Sequence, residues 1–568
     1  MEYSILADTY EELEKTSSKL EKTRVLSELF LKTPSAKLPR TVLLAAGRVF
    51  PAYSESELGI ATQMMIKAIS KATGFSSKDV EMKFKKTGDL GLAAENCIKL
   101  RKQIVLLKRK LTVDNVFDNL QKLAFVTGGG SQERKLNLIA ELLTSAQPKE
   151  SRYIVRTILQ ELRIGVAEGI IRDAIVKAFL IKEGMSKEEK NKMVEAVEYA
   201  WDILSDFGEV AKITKEKGIN GLKKVKVCLG RPIQVMLGEK AKSIEEVIKG
   251  FDKVAAEYKY DGMRVQISKK GDKIWVFTRR LEDVTKQFPD IVKLCKKGLK
   301  AKECIVEGEA LGIDLKTKSP LPFQVLSQRI HRKYDIEKIV KEIPVQVYLF
   351  DIVYLAGRTL FNKSFKERRK ILEGVVNVIP KNFELAKQLV TDDVKEAEKF
   401  YQEALNAKQE GLFLKVLDSK YVFGRHVGGW YKIKPIMETL DLVIVGATWG
   451  VGSRARWLSS YVLACRDPDT GKFLPCGMMG TGLTEEQFQS ITDRLKKLII
   501  GEKGRTVMLK PEVVVEVAYQ EIQKSPNYES GYALRFPRLI RIREDKGPDD
   551  VDIIERVSNL FKTQGIRG

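Results

Sequence analysis

Apolar residues recur at three- and four-residue steps through about the first 215 residues, with no clear alternating run, so this part of the chain predicts an all-helical domain. Ser186-Lys187-Glu188-Glu189 reads as a capping box, and Val194, Val197, Trp201 and Leu204 after it line one helix face. From about Gly218 to Val227 the chain turns polar and basic. With Gly230-Arg231-Pro232 beyond, this stretch predicts a linker.

The period then moves toward two. Ile274-Trp275-Val276-Phe277, Cys304 to Glu307, Val345 to Phe350 and Leu412-Phe413-Leu414 read as strands separated by helical stretches, which predicts an α+β domain with antiparallel sheets. Near Ile436 the pattern becomes many short strands: Leu440 to Val445, Ser459 to Cys465, Phe473 to Met479 and Val513 to Tyr519. Asp467-Pro468-Asp469-Thr470-Gly471 marks a hairpin turn, and one helix, Glu485 to Leu498, interrupts the series. A small barrel of OB-fold type is the natural closure. The expected organisation is a multidomain chain: an all-α domain over 1–217, an α+β domain over 218–436 and an all-β barrel over 437–568.

Charge narrows the partner. The chain has 99 Lys and Arg against 76 Asp and Glu, a formal net charge of +23, and such a field favours a polyanion. An anionic membrane surface would fit the charge, but no apolar run of 18 residues and no secretory signal at Met1 to Leu6 is present, so a soluble intracellular protein is expected. Six cysteines lack any Cys-x-x-Cys pair, which argues against a zinc ribbon and a disulfide framework. With only His331 and His426, histidine chemistry has little to work with. Lysine, carboxylate and arginine must carry any reaction.

The strongest candidate nucleophile is Lys259, within Glu257-Tyr258-Lys259-Tyr260-Asp261-Gly262-Met263-Arg264. Asp261-Gly262 is a turn dipeptide between the strand-like runs Val254-Ala255-Ala256 and Val265-Gln266-Ile267, so Lys259 would project from a tight bend. A lysine taken at random is a solvated surface charge. Four fixed positions, Lys-x-Asp-Gly-x-Arg, arise by chance in a chain this long only roughly a few times in a thousand.

The pattern resembles the adenylation motif of the covalent nucleotidyltransferases: ATP-dependent DNA ligases, RNA ligases and capping guanylyltransferases. Further stretches follow in that superfamily's order. Thr278-Arg279-Arg280-Leu281-Glu282-Asp283 resembles the second motif, with Arg279 on the nucleotide. Val306-Glu307-Gly308-Glu309 matches the third with Glu309, and Tyr348-Leu349-Phe350-Asp351-Ile352 resembles the next, with Phe350 stacking on the base. Taken alone, Arg279 is an ordinary charged strand end, Glu309 a salt-bridge acid and Phe350 a core residue. Glu410-Gly411-Leu412-Phe413-Leu414-Lys415 supplies a second acid, and Trp430-Tyr431-Lys432-Ile433-Lys434 puts two lysines on one face of a short strand. The segment from Leu534 to Lys546, which holds Arg541 and Arg543, resembles the sixth motif, usual for ATP-dependent DNA ligases.

Six motifs in order make the resemblance cover nearly the whole chain, and the group it points to is the ATP-dependent DNA ligases of replicative, archaeal and eukaryotic type. NAD-dependent ligases share the lysine motif but carry a cysteine zinc site, which this sequence lacks. RNA ligases and capping enzymes are disfavoured by the long helical region and the Arg535 to Lys546 segment. A non-catalytic DNA-binding relative is disfavoured by the intact Lys259, Glu309, Glu410, Lys432 and Lys434.

The resemblance implies ATP and Mg²⁺ as cofactors, with Lys259 forming a phosphoramidate with AMP and Glu309 and Glu410 holding the metal. An ordinary lysine is only on the order of 0.04% neutral at pH 7, so the site must favour the free amine through Arg264, Lys432, Lys434 and partial desolvation. Glu257 would accept a hydrogen bond from adenine, Arg425 would belong to the nucleotide site, and Arg541 and Arg543 would orient the pyrophosphate. The implied substrate is nicked double-stranded DNA in replication, repair and recombination, gripped as a monomer through phosphates by helical domain and barrel. The implied location is cytoplasmic in a prokaryote and nuclear in a eukaryote.

Weaker DNA candidates are Gly128, Gly129, Gly130 and Ser131, which open into a helix whose amides suit a phosphate, and Arg163 between helices. An interhelix linker and a packing turn explain them equally well. The glycine run is not a Walker A loop, which disfavours a P-loop ATPase. Gln103-Ile104-Val105-Leu106 is similar in outline to a sliding-clamp peptide but lacks its aromatic pair, so a core or surface helix is the better reading.

Overall fold

The computed structural model describes residues 1–54, 56–101, 110–330, 332, 334–424, 428–435, 438–451, 454, 456–481 and 483–563. Two compact units emerge. The first comprises Met1–Ala241, Glu246–Asp392 and Phe413–Tyr431, and the second Lys242–Glu245, Asp393–Leu412 and Lys432–Gly568.

The first unit opens with helices from Tyr3–Lys15 to Phe207–Leu222. Their apolar stripes build one core that includes Tyr3, Phe30, Ile69, Phe117 and Ile175. The capping box at Ser186 forms as its spacing predicts: Ser186 Oγ accepts from the Glu189 amide at 3.2 Å and Glu189 Oε2 accepts from the Ser186 amide at 2.8 Å. The expected linker from Gly218 begins too early. Gly218, at φ 55° and ψ −154°, is a non-helical kink between two helical segments, and the turn after it buries Gly221 and Leu222. Burial of Leu222 outweighs the break.

Strands follow in chain order: β1 Glu239–Lys240, β2 Val254–Lys259, β3 Met263–Lys270, β4 Lys273–Thr278, β5 Glu303–Gly312, β6 Val345–Leu355, β7 Arg358–Thr359, β8 Phe383–Leu385, β9 Gln388–Thr391, β10 Gly411–Val416 and β11 Trp430–Ile433. One sheet has the order β4-β3-β5-β6-β7, with β8 parallel to β6, and the other the order β1-β11-β10-β2-β9. The first sheet and helices such as Pro289–Gly298 enclose a core of Val265, Ile267, Val306, Leu349 and Phe383. A further cluster joins Ile203 of the helical region to Ile233, Met236, Ala255, Ile305 and Trp430. That shared core is why the helical region and most of the α+β part form one unit.

The second unit is built on β12 Leu440–Trp449, β13 Leu458–Arg466, β14 Phe473–Met479, β15 Ile499–Lys503, β16 Thr506–Leu509, β17 Val514–Ala518, β18 Glu521–Lys524, β19 Tyr532–Arg535 and β20 Arg538–Ile542. β12 pairs with β13, β16 and β17, β13 with β14, and β17 with β20. A parallel bridge from Thr481, just beyond β14, to Arg538 closes the ring β12-β13-β14-β20-β17. Helix Glu485–Lys496 contributes Phe488, Ile491 and Leu495 to the barrel core. The β13–β14 turn forms where Asp467 predicts it, with Asp467 Oδ1 accepting from the Asp469 amide at 3.0 Å and Gly471 at φ 70°.

Candidate active site

β2 delivers Lys259 as its last residue. The strand is buried from Val254 to Tyr258, and the small Ala255 and Ala256 let it be covered on both faces. Residues two apart share a face of a strand, so Glu257 and Lys259 lie on the same side. Lys259 Nζ stands 5.4 Å from the centroid of the Phe413 ring of β10.

The bend after Lys259 differs from the expected hairpin. β2 pairs with β9, and β3 pairs with β4 and β5, so Asp261-Gly262 carries the chain from one sheet to the other. Gly262 is required there by crowding: a Cβ at this position would lie 2.5 Å from Ala310 O and 3.0 Å from Glu309 Cγ, both of β5. Glu309 itself is half-buried, opposite Arg264 of β3 and Tyr348 of β6.

Beneath this bend lies a floor of buried charges. Glu257, 2% exposed, accepts at Oε2 from Lys415 Nζ at 2.5 Å and at Oε1 from Gln388 Nε2 at 2.8 Å and Arg369 Nη1 at 3.3 Å. Glu307, fully buried, accepts from Arg264 Nη2 at 2.8 Å, Tyr421 OH at 2.9 Å and Gln266 Nε2 at 3.2 Å. Asp351 is gripped by both sides of the Arg368 fork at 2.8 and 2.9 Å. Buried charges survive only when paired in this way. Burial pushes the Lys415 ammonium below the ordinary lysine range, against the pull of Glu257. Burial works against the Arg264 charge too, but Glu307, Tyr421 and Glu309 together outweigh it and the guanidinium is held above its usual value.

Aromatic rings separate these pairs. Lys415 Nζ stands 4.1 Å from the ring centroid of Trp430, 4.4 Å from Phe350 and 4.7 Å from Phe365, and Arg264 stands 5.3 Å from Phe350. Two buried donors, Arg264 Nε and Trp430 Nε1, have no acceptor among the described residues. The first unit therefore gathers Glu257, Lys259, Arg264, Glu309 and Phe350, five of the residues singled out in the sequence. Arg279, also in this unit, lies exposed in the turn after β4.

Glu410, Lys432, Lys434, Arg541 and Arg543 lie in the second unit. Glu410 Oε2 pairs with Lys434 Nζ at 2.5 Å. Lys432 is on β11, but Lys434 falls just past its end, so the two lysines do not share one strand as expected. Arg541 of β20 donates to Glu516 at 2.7 Å, and Arg543 donates to Asp441 at 2.8 and 2.9 Å and to Asp545 at 2.7 Å. Arg425 and Gln103 to Leu106 lie outside the described residues.

Among the DNA candidates, Gly128 at φ 82° and Gly130 at φ 70° present open space at the start of helix Ser131–Ser145. Arg163 is held within the fold, donating to Asp89 at 3.2 Å and pairing with Glu161. Lys415 and Glu307 are not among the residues the motifs single out. The signal was present: each is a charge inside an apolar strand, Leu412-Phe413-Leu414-Lys415-Val416 and Ile305-Val306-Glu307, and a buried charge demands a partner.

A terminal lysine on a crowded strand, an acid across the bend and a floor of paired charges define a nucleotidyltransferase domain, which follows a helical region in the chain and precedes an all-β domain. Residues 2–176 match the DNA ligase N terminus family, 235–434 the ATP dependent DNA ligase domain and 454–546 the ATP dependent DNA ligase C terminal region. The chain is 48% identical to a DNA ligase of Nanoarchaeum equitans, over 99% of both chains, and 45% identical to one of Thermococcus onnurineus, over 99% of this chain and 98% of that one. A solved structure titled Pmar-Lig_PreS3 shares the fold at a TM-score of 0.56 and 16% identity, covering 94% of this chain and 99% of its own. The chain belongs to the ATP-dependent DNA ligase family.

Proposed function

We propose that this chain joins nicks in duplex DNA at the expense of ATP, with Lys259 as the nucleophile. The observation that carries the reading is the placement of Lys259 at the end of β2, on the face of Glu257 and next to a bend packed on Glu309. Family membership sets aside the RNA ligase and capping alternatives.

Lys259 Nζ, having given up a proton to solvent, attacks the α-phosphorus of ATP. An N–P bond forms as the bond to pyrophosphate breaks. An oxygen of the 5′-phosphate at the nick then takes AMP from the lysine, and the 3′-hydroxyl displaces AMP to close the strand. Each step builds charge on phosphoryl oxygens, which suits fixed cations. Arg264, Arg279, Lys432 and Lys434, with Arg425, are the proposed phosphate and sugar contacts, Phe350 the base contact, and Arg541 and Arg543 the groups that steer pyrophosphate. For the arginines of the barrel this means exchanging Glu516 and Asp441 for phosphate.

Carboxylate oxygens are the hard ligands Mg²⁺ accepts, and such sites take one or two beside phosphate oxygens and water. Two carboxylates, Glu309 and Glu410, are a donor set that phosphate oxygens of the triphosphate and water would complete. Glu309 and Glu410 are the proposed protein ligands. Bound there, Mg²⁺ would neutralise charge on the phosphates.

The proposed division of labour is 1–217 and 437–568 on DNA and 218–436 on chemistry, in a monomer acting inside the cell. Gly128 to Ser131 are the proposed phosphate contacts of the helical region. No described helix is long and apolar enough to cross a membrane. The test is labelling with α-labelled ATP and Mg²⁺, followed by nicked duplex. Wild type should gain a covalent label that nicked DNA discharges, and Lys259→Ala should lose it by more than a thousandfold, about 4 kcal/mol of transition-state stabilisation. Undiminished labelling of that variant refutes the assignment.

A further inference from the structure

Lys415 is a residue with an unusual environment and no part in the steps above. Its side chain is 2% exposed, enclosed by Trp430, Phe350 and Phe365, and among the described residues its ion-pair partner is Glu257. A lysine in such a cage loses its hydration, and a cation held over three rings regains part of it through their negative faces. The rings solve the cost of burial but give no direction. Direction comes from the 2.5 Å bond to Glu257 Oε2.

That bond limits what Glu257 can still do. Each carboxylate oxygen accepts about two hydrogen bonds. Oε1 is taken by Arg369 and Gln388, and Oε2 by Lys415 alone, so among the described residues one acceptor position on Oε2 is left. The Lys415 bond fixes where that position points, and the second cation, Arg369, fixes the plane of the carboxylate. An acceptor fixed in this way takes an N–H and repels a carbonyl. Adenine offers its exocyclic amine at the position where guanine offers a carbonyl oxygen.

We propose that Lys415 is the positioning residue for base selection: it holds Glu257 as a fixed, charged acceptor for the exocyclic amine of the nucleotide. The assignment rests on the reading of Lys259 as the site of adenylation and of Glu257 as its base contact. It makes Phe413 and Lys415, neighbours on one face of β10, supports of Lys259 and Glu257, neighbours on one face of β2. One strand thus braces both the nucleophile and the base reader of the other.

The test compares self-labelling by ATP, by GTP and by purine riboside triphosphate, which has neither the amine nor the carbonyl. Wild type should label with ATP and favour it over the other two. In Lys415→Met the preference for ATP over purine riboside triphosphate should fall by about tenfold or more, the worth of one hydrogen bond to a charged group, and discrimination against GTP should fall with it. A purely structural lysine would lower labelling by all three alike and leave the ratios standing, and that result overturns the assignment. If Lys415→Met does not fold, Lys415→Gln keeps a polar group in the cage but removes the charge and, one atom shorter, the bond to Glu257 Oε2, and unchanged ratios there overturn it equally. Wild type that takes no label from ATP contradicts the proposed function itself. Wild type that labels but shows no preference among the three contradicts base reading by Glu257, and the role of Lys415 with it.

Discussion

Asp202 lies in helix Lys187–Leu204, 8% exposed, and burial, with repulsion from Glu198 added, pushes its carboxyl up to about 8. The folded chain therefore holds a proton there that the unfolded chain releases near 4. Stability from this group is complete below the unfolded value and drains away as pH rises toward 8. Asp202→Asn should melt a few degrees above wild type at pH 8.5 and show a smaller gain at pH 5, by thermal denaturation across that range. A gain that does not grow with pH rules out Asp202 as the source. Residues of this kind are hard to read in a sequence, because Asp202 follows Trp201 in a plain amphipathic helix. Lys259 was legible because its neighbours repeat a chemical pattern. Lys415 and Glu307 were visible as buried charges, but their partners lie 158 and 43 residues away, at Glu257 and Arg264.

At the scale of elements, the longer strands of the α+β part and barrel were legible from alternation and turn residues; short ones such as β8, β9, β15, β16 and β18 were not, and neither was the pairing. β2 and β3 are consecutive, joined by a dipeptide that usually makes a hairpin, yet they enter different sheets. Partner choice was decided by β5, β9 and β10, whose affinity for these strands depends on burial that no local pattern records. Gly262 marks the place where this matters. Gly262→Ala would push a methyl into the backbone of Ala310, and overpacking of this kind costs about 1–3 kcal/mol. Chemical denaturation should register that loss, and labelling by ATP should fall because the bend that follows Lys259 is pushed off β5. Unchanged stability and labelling together would mean that the bend has slack the geometry denies. The linker departs from its pattern for the opposite reason. Its composition is that of a linker, but Leu222 has a core to join, and a further helical turn forms past Gly218.

For the molecule as a whole, the formal charge of +23 sets the expectation for DNA. If about six phosphates are neutralised, affinity for a nicked duplex should fall on the order of a thousandfold between 50 and 200 mM salt, with little dependence on sequence. A gel-shift titration at several salt concentrations checks this, and a flat response would exclude phosphate contacts as the main grip. The broad order of helical region, α+β part and barrel could be read from periodicity alone. What periodicity does not record is where one compact unit stops, since Ile203 shares its surroundings with Met236, Ala255 and Trp430. A fragment ended at residue 217 would leave Ile203, and the Tyr199 ring that meets Phe423 edge-on, without that cover. The helical region thus finishes part of its own packing only with residues that come later in the chain.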